Sequence, residues 1–172
     1  MKESLKVIID GDRIKARISE LAREISDDYR DKRPILVAVL KGSFVFVADL
    51  VRELDIDFVV DFIAIGSYGA GKKSTGAVKL IKDLNHDISG EDVIFVEDVV
   101  DSGNTLSYIY ANFLARRPKS IEVVTLLNKM DNREANLSIK YTGFDIPGEF
   151  VVGYGLDLDE KYRGLPYIAS FK

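Results

Sequence analysis

Apolar residues along this chain switch repeatedly between strand-like and helical spacing. Leu5–Ile9 (LKVII) predicts a short strand, and Ile14, Ile18, Leu21, Ala22 and Ile25 recur at helical spacing. A helix over 12–29 follows, with Asp10 or Asp12 able to cap its start. Ile35–Leu40 (ILVAVL) is an unbroken apolar run, the pattern of a strand buried on both faces. After Lys41-Gly42-Ser43, the residues Phe44, Val47, Val51 and Leu54 predict one face of a second helix. Phe58–Ile65 then predicts a β-branched strand, 66–77 a glycine-rich loop, and Val78–Ile81 a short strand beside it. Val93–Val96 is another buried-strand pattern. Leu106, Ile109, Tyr110, Phe113 and Leu114 give a third helical face, which Pro118 ends, and Ile121–Leu127 is the next strand. Strands alternating with helices predict an α/β fold, a mostly parallel central sheet with helices on both sides.

Beyond Asp131 the pattern changes: turn residues multiply, and the short strands Phe150–Tyr154 and Tyr167–Ala169 replace the alternation. The expected organisation is a single domain. Its core spans about 10–130, and a small hood is made from the N-terminal strand and about 131–172. A hood over the C-terminal edge of the sheet closes a cleft at the place where open α/β sheets bind ligands.

Composition narrows the chemistry. The 172 residues carry 24 Lys and Arg against 28 Asp and Glu, a net charge of −4, which argues against general affinity for nucleic acid. Cysteine is absent, so disulfides, thiolate metal sites and thiol nucleophiles are excluded. The single histidine, His86, sits in the turn-like KDLNHDISG and reads as a surface residue with no catalytic part. The longest apolar run is far too short to span a membrane, and MKESLKVIIDGD places acids where a signal peptide needs apolar residues. A cytoplasmic protein is expected.

Two segments carry phosphate-binding signals. Gly66–Ser74 (GSYGAGKKS) nearly matches the nucleotide-binding G-x-x-x-x-G-K-[ST] loop, but Lys73 occupies the place of the magnesium-binding hydroxyl. The STGAVKLI that follows is also a poor helix. This stretch reads as a polar loop whose glycines suit a lid. The stronger signal is VIFVEDVVDSGNTL, Val93–Leu106. A buried strand runs into the acid pair Glu97 and Asp98, then into Asp101-Ser102-Gly103-Asn104-Thr105, then into a helix. Small residues let backbone N–H groups converge on a phosphate at a helix N-terminus, and the hydroxyls of Ser102 and Thr105 can add hydrogen bonds. The acid pair suits ribose hydroxyls or a divalent cation. The plain alternative is that Asp101 caps the helix and the two acids are solvated turn residues.

The segment VEDVVDSGNTL resembles the phosphoribosyl-pyrophosphate signature of the type I phosphoribosyltransferases. The tail FDIPGEFVVGYGLDLDEKYRGLPYI resembles the hypoxanthine-guanine branch. LKGS at Leu40–Ser43 is similar to that branch's pyrophosphate loop, and SYG at Ser67–Gly69 to the start of its flexible loop. The resemblance implies the type I phosphoribosyltransferase fold. It also implies transfer of phosphoribosyl from phosphoribosyl pyrophosphate to hypoxanthine or guanine with Mg2+, giving IMP or GMP, in a homodimer or homotetramer.

Carried over residue by residue, the resemblance makes Asp101 the general base facing purine N7. Ser102, Gly103, Asn104 and Thr105 hold the 5′-phosphate, although some relatives carry Lys where this chain has Asn104. Glu97 and Asp98 hold the ribose hydroxyls and contribute to the metal site. Lys41-Gly42 forms the pyrophosphate turn, whose preceding peptide can be cis. Lys129 donates to the exocyclic O6 and so selects 6-oxopurines over adenine. Phe150 stacks on the purine, and Val151 and Asp157 offer backbone carbonyls to its edge. Asp157 is also a metal ligand, Arg163 clamps pyrophosphate, and Arg133 adds positive field. Ser67 and Tyr68 belong to the lid. Two rivals weigh less. A regulator of the same fold that binds nucleotide and RNA or DNA would show a basic face and lack this tail, and a nicotinamide-dependent dehydrogenase would need G-x-G-x-x-G after its first strand.

Overall fold

The computed structural model describes residues 4–67, 78–132, 134 and 137–172, with Ser67 described in its backbone only. Tyr68 and Arg133, and with them most of the Gly66–Ser74 motif, lie outside the described residues. In chain order the elements are β1 (Leu5–Ile9), α1 (Gly11–Asp28), β2 (Ile35–Leu40), α2 (Phe44–Glu53), β3 (Val59–Ser67) and β4 (Val78–Lys82). These are followed by β5 (Asp92–Val100), α3 (Asn104–Leu114), β6 (Ser120–Lys129), a single 3-10 turn (Met130–Asn132), β7 (Tyr141–Ile146), β8 (Val151–Val152) and β9 (Ile168–Phe171).

A six-stranded sheet has the order β4-β3-β2-β5-β6-β7. All of its pairings are parallel except that of the edge strand β4 with β3. The alternation of side chains in β2 explains why both faces are covered. Leu36 and Ala38 join the core under α1 and α2, whereas Ile35, Val37 and Val39 join the core under α3. A second sheet, β1-β9-β8, is antiparallel. The stretch 131–172 therefore divides: Tyr141–Ile146 completes the large sheet, and only β8 and β9 join β1 in the small one. Among the described residues no helix is long and apolar enough to cross a membrane.

Local chemistry sets the element ends. The Asp10 side chain accepts from the Arg13 backbone N–H at 2.9 Å and caps α1. The second helix keeps Val47, Val51 and Leu54 of the expected face against the core, but its fully buried residues are Phe46, Val47 and Leu50, and Phe44 is 45% exposed. Its FVFVADLV segment is apolar at adjacent positions, so the pattern alone does not set the phase. Likewise α3 buries Leu106, Ile109 and Phe113, while Leu114 faces outward. The strand β7 escaped the periodicity because it is short and carries Gly143, and tertiary contacts hold it. Arg17 of α1 donates to the Thr142 and Gly143 carbonyls at 2.8 and 3.1 Å.

His86 has a structural task. Asp61 of β3 is 2% exposed, and its Oδ2 lies 2.8 Å from His86 Nδ1. The same oxygen accepts from the Asn85 and His86 backbone N–H groups, which ties the turn after β4 to β3. Burial alone pushes the Asp61 carboxyl up, but the His86 contact and the backbone amides outweigh it and hold it below the ordinary value. Its contribution to stability is therefore present above the unfolded pKa of about 3.9 and is lost as pH falls through the lower folded value. Asp61→Asn is expected to flatten the loss of stability below about pH 4, read from urea midpoints against pH. Identical acid limbs in the two proteins would contradict this.

Candidate active site

The strand order reverses between β2 and β5, whose connections leave the sheet on opposite sides, so a crevice opens beyond their C-terminal ends. It holds a cleft of about 200 Å³ lined by Leu40, Lys41 and Gly42 from one strand end and by Glu97–Gly103, Thr105 and Leu106 from the other. The two motifs that lie far apart in sequence, LKGS and VEDVVDSGNT, thus form its two walls.

Glu97 and Asp98 are not turn residues. The strand β5 continues through them to Val100, paired with β6 (Glu97 opposite Thr125, Val99 opposite Leu127), while its pairing with β2 stops at Ala38–Val96. Past that point β5 has one open edge, and the acids sit there. Among the described residues no hydrogen-bond donor reaches the buried Glu97 carboxyl. Burial, and then the charge of Asp98, push it well above the usual carboxylate range. Burial also raises Asp98, to about 6, against the lowering effects of the Val99 amide and the Arg163 charge. Gly42 presses on this pair, because a Cβ there would stand 1.7 Å from Asp98 Oδ2. Only glycine lets the turn approach so closely. The Leu40–Lys41 peptide is cis.

Asp101 does not cap α3. The N-cap is Gly103, at φ +83°, and no side chain fills the cap. Apart from the Asn104 N–H, which reaches Ser102 Oγ, the first-turn amides are therefore left open to an anion. Asn104 N–H lies 3.3 Å from Ser102 Oγ, and the Asn104 side chain donates to Glu134 at 2.8 Å. The Glu134 backbone N–H also bonds the Ser102 carbonyl at 3.0 Å, so the loop is fastened to the segment after β6. The Asp101 carboxylate instead receives Lys129 Nζ on Oδ2 at 3.2 Å and Asn132 Nδ2 on Oδ1 at 2.7 Å. Lys129 ends β6 and is only 6% exposed, unlike an ordinary solvated strand-end lysine.

The hood supplies the remaining groups. Phe150 precedes β8 rather than lying inside a longer strand; it is 54% exposed and stacked on Phe171, with centroids 6.2 Å apart at 27°. One face is backed by a ring while much of the side chain meets solvent. Val151 is buried in β8. Arg163 donates to the Gly155 carbonyl at 2.8 Å and pairs with Asp157 at 2.9 Å. Asp157 also accepts from the Glu160 N–H at 2.8 Å. Glu160 bridges the two pyrophosphate candidates: its carboxylate lies 2.8 Å from Lys41 Nζ and 3.3 Å from Arg163 Nη2.

The structure thus brings Lys41, Gly42, Glu97, Asp98, Asp101, Ser102, Gly103 and Thr105 around one cleft, with Asn104 on the same loop. Lys129 reaches it through Asp101, and Arg163 acts electrostatically on Asp98. Sequence reasoning missed Asn132, Glu134 and Glu160. The first two follow Lys129 directly at the C-terminal edge of β6, and that position was the available signal. No three or more acidic or histidine side chains converge as a metal cage among the described residues. The three expected ligands Glu97, Asp98 and Asp157 are therefore not gathered into one cage, and a hard cation that takes one or two carboxylates and draws its other oxygens from a substrate fits the adjacent pair Glu97 and Asp98, where the Glu97 carboxyl lacks a donor.

Residues 4–159 match the phosphoribosyl transferase domain family. The hypoxanthine phosphoribosyltransferase of Escherichia coli strain K12 is 49% identical over 172 residues, covering 99% of this chain and 97% of that protein. The hypoxanthine-guanine phosphoribosyltransferase of Mycobacterium avium is 50% identical over 170 residues, covering 95% of this chain and 84% of that one. A crystal structure of a hypoxanthine-guanine phosphoribosyltransferase from Bacillus anthracis superposes with a TM-score of 0.93 at 44% identity, covering 99% of this chain and 100% of its own. With the cleft, the open helix start and the 6-oxopurine tail all in place on that fold, the chain belongs to the phosphoribosyltransferase family, in its hypoxanthine-guanine branch.

Proposed function

We propose that this chain transfers the 5-phosphoribosyl group of phosphoribosyl pyrophosphate to hypoxanthine or guanine, releasing pyrophosphate and forming IMP or GMP, with Mg2+ as the divalent cation. The observation that carries this reading is the pairing of Asp101 with Lys129 at 3.2 Å, beside an uncapped helix start. A proton acceptor and a cationic donor stand side by side, as a purine needs when it must lose a proton near N7 and keep an oxo group at C6.

The open N-terminus of α3 and the Ser102 and Thr105 hydroxyls hold the 5′-phosphate, and Glu97 and Asp98 hold the ribose hydroxyls. These contacts fix C1′ against the purine and turn a two-body encounter into an oriented one. Purine N9 attacks C1′ as the bond to pyrophosphate breaks, and the N7 proton passes to Asp101. Lys41 and Arg163 steady the departing negative charge, Arg163 through its planar fork. Mg2+, held by one or two of the carboxylates Glu97, Asp98 and Asp157, would supply further neutralisation of the pyrophosphate oxygens. Lys129 donates to O6, and Phe150 holds the ring plane. The homodimer or homotetramer and the cytoplasmic setting belong to the same reading; sedimentation of the purified protein tests the assembly.

The test is IMP formation by purified protein given Mg2+, phosphoribosyl pyrophosphate and hypoxanthine. A folded protein that forms none would overturn the reading. Glu160 gives a finer check. It holds Lys41 and Arg163 with its own carboxylate, so an incoming pyrophosphate group must displace it. Glu160→Gln is expected to lower KM for phosphoribosyl pyrophosphate about two- to fivefold, a size typical of an exposed ion pair. An unchanged or raised KM would contradict the competition.

A further inference from the structure

We propose that Asn132 is the positioning residue that orients the Asp101 carboxylate for proton abstraction; the inference rests on the transferase reading above. The Asp101 carboxylate receives two donors, one on each oxygen: Asn132 Nδ2 on Oδ1 at 2.7 Å and Lys129 Nζ on Oδ2 at 3.2 Å. They differ in what else they must do. Lys129 has a second task, donation to the exocyclic oxygen, and its hold on Oδ2 loosens when it turns to the purine. Asn132 has no such task, and its neutral amide gives the same hydrogen bond at every working pH. The shorter bond therefore belongs to the donor that stays, and the longer one to the donor that leaves. The lone pairs of Oδ2 become available for the proton while Oδ1 remains fixed.

The orientation of the exposed Asn132 amide follows from its partner. A carboxylate partner accepts only, so the NH2 end of Asn132 must face Asp101. On the other side the backbone of Gly148 closes in: a Cβ there would stand 2.8 Å from Asn132 Oδ1 and 3.1 Å from Nδ2. Gly148 N–H is in turn 3.3 Å from Asp131 Oδ2. The 3-10 turn Met130–Asn132 thus joins the end of β6, which carries Lys129, to the segment that presents Phe150 two residues beyond Gly148. Asp101 is itself half-exposed, with a side chain free to rotate unless something holds it. A base displaced by a fraction of an ångström loses much of its rate advantage.

The experiment is a double-substitution cycle on the full chain, read as kcat and KM for both substrates. Asn132→Ala is expected to lower kcat about tenfold with KM for phosphoribosyl pyrophosphate within about twofold, the signature of a contact that matters in the transition state. Asn132→Asp, equal in shape but without the donor, should lose at least as much, because two acceptors then face each other. In an Asp101→Asn background, which has no base to orient, Asn132→Ala should change kcat by less than about twofold. Wild-type kcat in Asn132→Ala, or full activity in Asn132→Asp, overturns the proposal. So does an equal loss in both backgrounds, which would make Asn132 a packing residue. Each of these leaves the transferase reading standing, whereas a wild-type protein that forms no IMP removes that reading and the proposal with it.

Discussion

Asp101→Asn is expected to lower kcat for IMP formation by about 10²- to 10⁴-fold while KM for phosphoribosyl pyrophosphate stays within about twofold. Asparagine is the better test than alanine for a reason visible in the site. Lys129 is only 6% exposed, and its Nζ lies 3.2 Å from Asp101 Oδ2. Removing the side chain entirely would strand a buried cation and mix a stability loss with the kinetic one. The amide keeps an oxygen for Lys129 and fits the same space, but it cannot accept the purine proton. The groups expected to hold the substrate, the α3 start and the acid pair on β5, do not pass through this carboxylate. Pre-steady-state turnover with calorimetric binding of phosphoribosyl pyrophosphate separates the two effects. Weakened binding with an undiminished kcat would remove Asp101 from the chemical step.

Much of this geometry was legible in the sequence, and the limits have physical causes. The parallel core could be read because ILVAVL and VIFV are apolar at every position, as a strand covered on both faces must be. The phase of α2 could not, because Phe44, Val45, Phe46 and Val47 are all apolar and packing alone chose Phe46 and Val47. The end of β5 was misplaced because acids normally end a buried strand. Here β6 runs alongside as far as Lys129, while β2 has already stopped, so the acids keep a ladder on one side and a cleft on the other. Asp101 and Lys129 were each legible as functional, but nothing in their 28-residue separation shows that they touch. Asn132, Glu134 and Glu160 were hidden for a related reason: each owes its role to a turn that returns the chain to the cleft, and such a turn leaves no periodic trace.

Lys129→Gln is expected to reduce kcat/KM for hypoxanthine about 10²-fold and to narrow the preference for hypoxanthine over adenine. A hydrogen bond from a cation to a buried acceptor carries roughly 1.5–3 kcal/mol, which sets the size of the first effect. The second follows from the donor inventory. An ammonium only donates, so it pairs with a 6-oxo group but meets a 6-amino group donor against donor, and that mismatch is a stronger rejection than a steric misfit. A glutamine amide offers both a carbonyl and an NH2, and can turn either toward the ring. The backbone of Lys129 is held within β6, opposite Ile146 of β7, so the substitution changes the tip of the side chain and not its origin. Asp101 keeps its Asn132 donor in this variant, so kcat with a saturating purine should fall less than KM for hypoxanthine rises. Steady-state constants for both purines measure the ratio. A hypoxanthine-to-adenine preference equal to that of the wild type would mean that the 6-position is read by some other group, and that Lys129 serves only as the counter-ion of Asp101.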